Sequence, residues 1–257
     1  AEPGDGCDAS CTTEEPGFCD GSAAPQFIGS TTHKVSNSTS IPLMTPGFVA
    51  PGDLLLAVVT TNNYNPVASA GAGWKDVNLM TSGGNCGTHV LYRVVEANEP
   101  TVHTFSFSGG TYASGIMTAY TGTSATDPIA SATAVATGGY TADSLVTTAA
   151  NTMLVLLTSS GNGAKTWTAP AGWSIAEAGG QNSTSCGAFH TVQGNAGATG
   201  SITAVASVVD TGYAHLIALN HCSLCGNGTL DDGEAVSYTH LRAHETPEHR
   251  GCRRVRE

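Results

Sequence analysis

The sequence predicts an all-β protein: a two-sheet antiparallel sandwich, jelly-roll-like, with an internal pseudo-two-fold repeat and small disulfide-rich flanks. Three observations lead there. The 257 residues include 32 Gly and only 11% charged side chains, with runs rich in Thr, Ser, Ala and Val. Such runs, punctuated by glycine, favour short strands and tight turns over helices. No segment sustains the 3.6-residue period of an amphipathic helix. Finally, residues 22–221 read as two similar halves, about 27–124 and 125–221.

The first half runs GDLLLAVVTTNN (52–63), GAGWKDV (71–77), NCGTHVLYRVV (85–95), VHTFSFSG (102–109) and YASGIMTAYTG (112–122). The second runs NTMLVLLTSSG (151–161), PAGWSIA (170–176), SCGAFHTVQG (185–194), SITAVASVV (201–209) and YAHLIALN (213–220). Trp74 and Trp173 lie 99 residues apart, Cys86 and Cys186 lie 100 apart, and Tyr112 and Tyr213 lie 101 apart. Leu54–Val59 and Met153–Leu157 are near-continuous apolar runs, so both are expected as central strands. HTFSFSG alternates, placing His103, Phe105 and Phe107 on one face. Neither half is expected to bury a face alone; packed together they make the sandwich.

APGDLLLAVV, PAGW and SGIMTAYTG resemble the opening strand, turn and late strand of a jelly-roll-like sandwich frequent in bacterial secreted proteins and phage structural proteins. The resemblance spans nearly all of 22–221 and implies architecture; it carries no activity with it. Residues 4–21, GDGCDASCTTEEPGFCDG, resemble the second half of a cysteine-rich repeat of secreted and surface proteins of myxobacteria and their relatives. CGNGTLDDGEA (225–235) resembles the first half of the next copy. The flanks 1–21 and 222–235 are thus expected as partial repeats, implying an extracellular or cell-surface location. The chain opens inside that motif and has no leader pattern, so a fragment with its targeting signal upstream is expected.

Eight cysteines in a low-charge chain suit an oxidising compartment. Cys19 and Cys222 bracket the sandwich, and because domain termini often lie close, a bridge between them would clamp its ends. Closing a loop of about 200 residues corresponds to roughly 5 kcal/mol in the chain-entropy model. Cys86 and Cys186 either pair across the pseudo-two-fold or stay as two buried thiols. The repeat resemblance implies that Cys7 and Cys11 pair with each other or with cysteines upstream. Zinc at Cys222-x-x-Cys225 lacks a second ligand pair. GDGCD and TLDDGE lack a twelve-residue calcium loop, which leaves calcium unassigned.

Residues 1–235 carry four basic side chains (Lys34, Lys75, Arg93 and Lys165) against seventeen acidic ones. So acidic a body argues against nucleic acid and anionic membranes as partners. No apolar run approaches the ~18 residues of a spanning helix. Residues 236–257 reverse the sign, with five Arg against three Glu, and hold His240, His244, His249 and Cys252. The spacing suggests a metal site, but Pro247 interrupts the helix a zincin needs, and the last His comes one residue late. VSYTHLRAHET (236–246) instead resembles a translated transposase-library adapter, whose mosaic end GTC TCT TAT ACA CAT CT reads VSYTHL. Residues 236–257 are therefore expected to be a non-native tail, an expectation that fails if genomic DNA encodes the same residues after Ala235.

No G-x-S-x-G elbow is present, and SSGNGAKT lacks the glycine before Lys165 that a phosphate loop needs. The sequence predicts no catalytic residue, metal or cofactor. Trp74 and Trp173, each following Ala-Gly, are expected to plug the core. Trp167 has no tryptophan counterpart in the first half; with Tyr64 and Tyr140 it is expected to form an exposed aromatic face for an extracellular glycan or surface polymer. His89, His190 and His215 are expected as hydrogen-bonded or solvated strand histidines. The leading expectation is a non-catalytic binding or adhesion module. A structural spacer and an accessory domain of a secreted hydrolase are the alternatives.

Overall fold

The computed structural model describes residues 24–222, apart from 63–64, 66, 82–85, 138 and 182. The first half contributes β1 (Gln26–Met44), β2 (Leu54–Asn62), β3 (Val67–Ser69), β4 (Lys75–Thr81), β5 (Cys86–Val94) and β6 (Val102–Thr121). The second contributes β7 (Ile129–Thr137), β8 (Thr141–Ala142), β9 (Val146–Thr147), β10 (Thr152–Ser160), β11 (Trp167–Thr168), β12 (Ser174–Gln181), β13 (Thr184–Gln193), β14 (Gly197–Ala198), β15 (Ile202–Thr203), β16 (Val205–Ala206) and β17 (Gly212–Leu219). All their pairings are antiparallel, and the fold is all-β, as the sequence predicts.

The duplication is visible in the topology. The first sheet runs β1-β6-β2-β5-β4, and the second, read from its far edge, runs β7-β17-β10-β13-β12. These are the same order strand for strand, so each half builds a whole sheet. The main difference is continuity. β1 and β6 are long and bulged, whereas their second-half counterparts are broken into β7 and β8, and into β15, β16 and β17.

Side-chain alternation along the central strands makes three cores. Leu54, Leu56 and Val58 of β2 meet Met153, Val155 and Leu157 of β10 between the sheets. The opposite face of β2, Leu55, Ala57 and Val59, packs with Ile41, Leu43, Phe105 and Phe107 from the outer parts of β1 and β6. The opposite face of β10, Leu154 and Leu156, packs with Tyr140, Trp167, Ala204 and Ala206. The apolar runs are near-continuous because each strand is covered on both sides. Here the expectation needs correcting: each half does bury one face by itself, under its own folded-over ends, and the halves then share the middle core. His103, Phe105 and Phe107 share one face, as their alternation predicts, and that face is buried.

One end of the middle core is polar. Thr88 Oγ1 lies 2.6 Å from Ser159 Oγ, Ser114 Oγ lies 2.7 Å from Thr184 Oγ1, and the Tyr213 hydroxyl donates to the Cys86 carbonyl at 3.2 Å. Cys86 and Cys186 sit in this seam as free, buried thiols, which decides between the two alternatives. The ladder supplies the reason. Lys75 pairs with Tyr92 where Ser174 pairs with His190, and Thr81 pairs with Gly87 where Gly180 pairs with Ser185. The second hairpin is therefore one residue shorter, and Thr184 occupies the position of Cys86 while Thr88 occupies that of Cys186. The two sulfurs are not symmetry mates. Each instead has a hydroxyl neighbour: Cys186 donates to Thr60 Oγ1 at 3.1 Å, and Cys86 lies 3.6 Å from Thr88 Oγ1. Burial pushes their pKa values up to about 11 for Cys86 and about 12 for Cys186, which makes both poor nucleophiles.

Cys222 is buried at the end of the described chain. Cys7, Cys11, Cys19 and Cys225 lie outside the described residues, as do both carboxylate-rich turns and the tail from 236 onward. The Cys19–Cys222 clamp remains a proposal.

Candidate functional site

The aromatic face expected from Trp167, Tyr140 and Tyr64 is not an exposed surface. Trp167 is 7% exposed and Tyr140 1%, and their rings meet edge-on with centroids 4.7 Å apart. The Trp167 indole donates to Ser185 Oγ at 2.8 Å, satisfying its one polar atom inside the core. Tyr64 lies outside the described residues.

The reason for the burial is a volume exchange across the ladder. Val67 of β3 pairs with Phe107, and at the matching place Trp167 of β11 pairs with Ala206. Likewise Ile41 pairs with Phe105, while Ala204 donates its backbone N–H to the Tyr140 carbonyl. In each pair one partner is large, but the halves place the bulk on opposite strands. Trp167 and Tyr140 therefore fill the outer core where the first half uses Phe107 and Phe105. Tyr140 also takes a left-handed backbone, with φ of 52°, a strain that a buried ring can hold in place. Alanines at 204 and 206, where the first half has Phe105 and Phe107, are the signal in the sequence that points to this.

Trp74 and Trp173 are half-buried and pack against the two outer cores, as core plugs do, but their surroundings differ. In the first half Trp74 donates its indole N–H to His103 Nδ1 at 3.2 Å and meets Phe105 edge-on at 5.1 Å. Arg93 of β5 lies beside it. The guanidinium donates to the Ala72 carbonyl at 2.5 Å and to Glu99 Oε1 at 2.7 Å, and lies 3.2 Å from Glu96 Oε2. His103 Nε2 stands 3.0 Å from Glu99 Oε1, but without the alignment of a hydrogen bond. A methyl group added at Gly73 would lie 1.8 Å from an Arg93 nitrogen, which shows how fully the guanidinium fills the space against this turn.

The electrostatics fit a structural clamp. The hydrogen bond to Glu99 raises the Arg93 pKa, while burial lowers that of His103 more than Glu99 restores it. The Glu99 side chain, 7% exposed, is also held by the Glu96 backbone N–H at 2.8 Å. Removing the cation should leave that carboxylate enclosed without its permanent counter-charge. Arg93→Ala is expected to destabilise the fold by about 3 kcal/mol in urea unfolding; a loss below about 1 kcal/mol would mean the cluster is ordinary surface charge.

In the second half the ladder places Thr191 where the first half has Arg93, and Ile202 where it has His103. The Thr191 hydroxyl donates to the Gly172 carbonyl at 3.0 Å, so it reaches the same kind of turn with a short side chain. Ile202 offers the indole no acceptor, and Trp173 Nε1 has no hydrogen-bond partner among the described residues. The vacated space is a cleft of about 570 Å³, lined by Trp173, Thr191, Gln193, Asn195, Thr199 and Ile202 among others. Its rim is the glycine-rich segment after β13, and that segment is fastened. Gln193 Nε2 donates to the carbonyls of Asn195 at 3.0 Å and Gly197 at 3.1 Å, and Thr199 and Leu145 bond each other through both backbone and side chain.

The strand histidines divide. His89 Nε2 meets Asp76 Oδ1 at 2.6 Å, and His190 stacks on Phe27 with centroids 4.6 Å apart. His215 departs from expectation: it is 1% exposed and neither ring nitrogen has a partner. Among the described residues no three His, Cys, Asp or Glu side chains are grouped to hold a metal, and no helix is long and apolar enough to cross a membrane. The fold and site define an all-β sandwich of duplicated halves with an open, uncharged cleft beside Trp173. No protein-family model, curated protein or solved structure matches the chain.

Proposed function

We propose that this is a non-catalytic binding or adhesion module of a secreted or cell-surface protein, with the cleft beside Trp173 as its binding surface. The observation that carries the reading is the cleft itself. It is a shallow, open depression edged by an indole and by amide and hydroxyl groups, and set on a twice-packed β scaffold. Its volume falls within the roughly 300–1,000 Å³ of small-molecule sites. The fastened rim means that little ordering remains to be done on binding, which favours affinity. The extracellular setting is supported by the resemblance of the flanks to secreted cysteine-rich repeats.

Retention of the full chain on bacterial cell-wall and exopolysaccharide fractions tests this. Saturable retention is expected. If no fraction retains it, the binding reading fails and a structural spacer, which the three cores would also serve, becomes the better account.

A further inference from the structure

We infer that the Trp173 cleft takes an uncharged, polyhydroxylated ligand, a neutral glycan, and that it is open because the second half lacks the charged plug of the first. This rests on the binding-module reading and assigns that module's site and ligand class.

The two halves act as an internal control. Both present a tryptophan after Ala-Gly, packed on an outer core, beside a side chain from the second strand of the β4–β5 or β12–β13 hairpin. In the first half that side chain is Arg93, which brings Glu99 and Glu96 with it, while His103 takes the indole N–H. In the second half it is Thr191, and His103 gives way to Ile202. The exchange does two things. It opens the cleft, and it leaves the Trp173 indole N–H without a hydrogen-bond partner among the described residues.

The chemistry of the lining sets the ligand class. None of Trp173, Thr191, Gln193, Asn195, Thr199 and Ile202 is ionised, so a charged ligand would lose hydration and find no counter-charge. An entirely apolar ligand would leave the amides and hydroxyls covered and unpaired. A sugar ring has the matching composition: an apolar C–H face for the indole and hydroxyls for the polar rim. Two donors stand ready. Neither the Trp173 indole nor the Asn195 carboxamide makes a hydrogen bond with its side-chain atoms among the described residues. Gln193, by contrast, has its amide nitrogen occupied in holding the rim, and is a positioning residue.

The experiment titrates the full chain by calorimetry with cellohexaose, chitohexaose and mannohexaose, and with hexagalacturonate and chitosan hexaose as charged counterparts. At least one neutral hexasaccharide is expected to bind, with no charged one binding more tightly. Trp173→Ala should weaken binding about tenfold or more, the scale of an aromatic anchor. That variant also trims core packing, so two others accompany it. Asn195→Ala, at an exposed position, should weaken binding several-fold with unchanged melting temperature. Thr191→Arg should obstruct the cleft with the first half's own side chain. Trp74→Ala should leave binding unchanged.

Binding that survives Trp173→Ala and Thr191→Arg together would overturn the site. Preference for a charged hexasaccharide would overturn the ligand class. In either case retention on surface fractions would leave the module reading standing. If the hexasaccharides and the surface fractions both fail, both readings fall.

Discussion

Replacing Trp167 by valine is expected to destabilise the protein by about 3 kcal/mol or more, and adding Ala206→Phe to that variant should restore much of the loss. The first number follows from removing a buried tryptophan, a change that costs roughly 3–5 kcal/mol when the site cannot collapse. Here it cannot readily collapse, because Trp167 sits between Tyr140 and the alanines at 204 and 206. The second expectation follows from the ladder. Val67 opposite Phe107 in the first half is the finished form of what the double variant builds at Trp167 and Ala206. Ala206→Phe alone should overpack the intact core and cost about 1–3 kcal/mol. A double-mutant cycle in urea should therefore show strong favourable coupling. Additive losses would mean that the halves do not trade volume across these pairs.

His215→Leu should flatten the acid side of the stability curve. The imidazole lies on β17 between strand neighbours Leu157 and Ala134, fully enclosed, near Tyr213, with no partner for either nitrogen. Burial lowers its pKa from the ordinary 6.5 to about 3, with His89 adding to the shift. The group is thus neutral in the fold and becomes protonated in the unfolded chain first. Its contribution is constant above pH 6.5, and stability falls as pH drops from 6.5 toward 3, by up to about 1.4 kcal/mol per unit. Over the whole window that amounts to about 4 kcal/mol. His103 and His190 shift in the same direction and add to the slope. The leucine variant should match the wild type at pH 7 to within about 1 kcal/mol, since it loses two unpaired polar atoms along with some packing. It should then keep most of the stability that the wild type loses on acidification. Equal slopes for the two proteins between pH 6.5 and 3.5 would show that another group titrates.

Much of the architecture was legible because strand patterning is local. Alternation in HTFSFSG puts His103, Phe105 and Phe107 on one face, which the fold buries, and the apolar runs at Leu54 and Met153 mark the central strands. The Ala-Gly-Trp turns were also legible, as a motif repeated at the same place in both halves. The candidate site was not. Trp167 and Tyr140 looked exposed because each stands among small polar residues, and the partners that enclose them come from elsewhere in the fold. His215 looked ordinary because its neighbours in sequence, Ala214 and Leu216, point the other way, into the outer core. Spacing misled for the cysteines, where a hairpin shorter by one residue moved Cys186 off the position matching Cys86.

The linear order of residues by itself specified strand positions, buried faces and the duplication of the halves, because each depends on neighbours two residues apart or on a repeat of fixed length. Only the packed structure decided which aromatics fill the core, whether the two thiols meet, and where a cleft opens. Those outcomes depend on the summed volume and charge of side chains on facing strands. Where Phe107 faces Val67, and Ala206 faces Trp167, either member alone says little about the space that the pair occupies. The same holds at the cleft: Thr191 is an unremarked threonine in sequence, and its importance lies in the arginine-sized space it leaves beside Trp173.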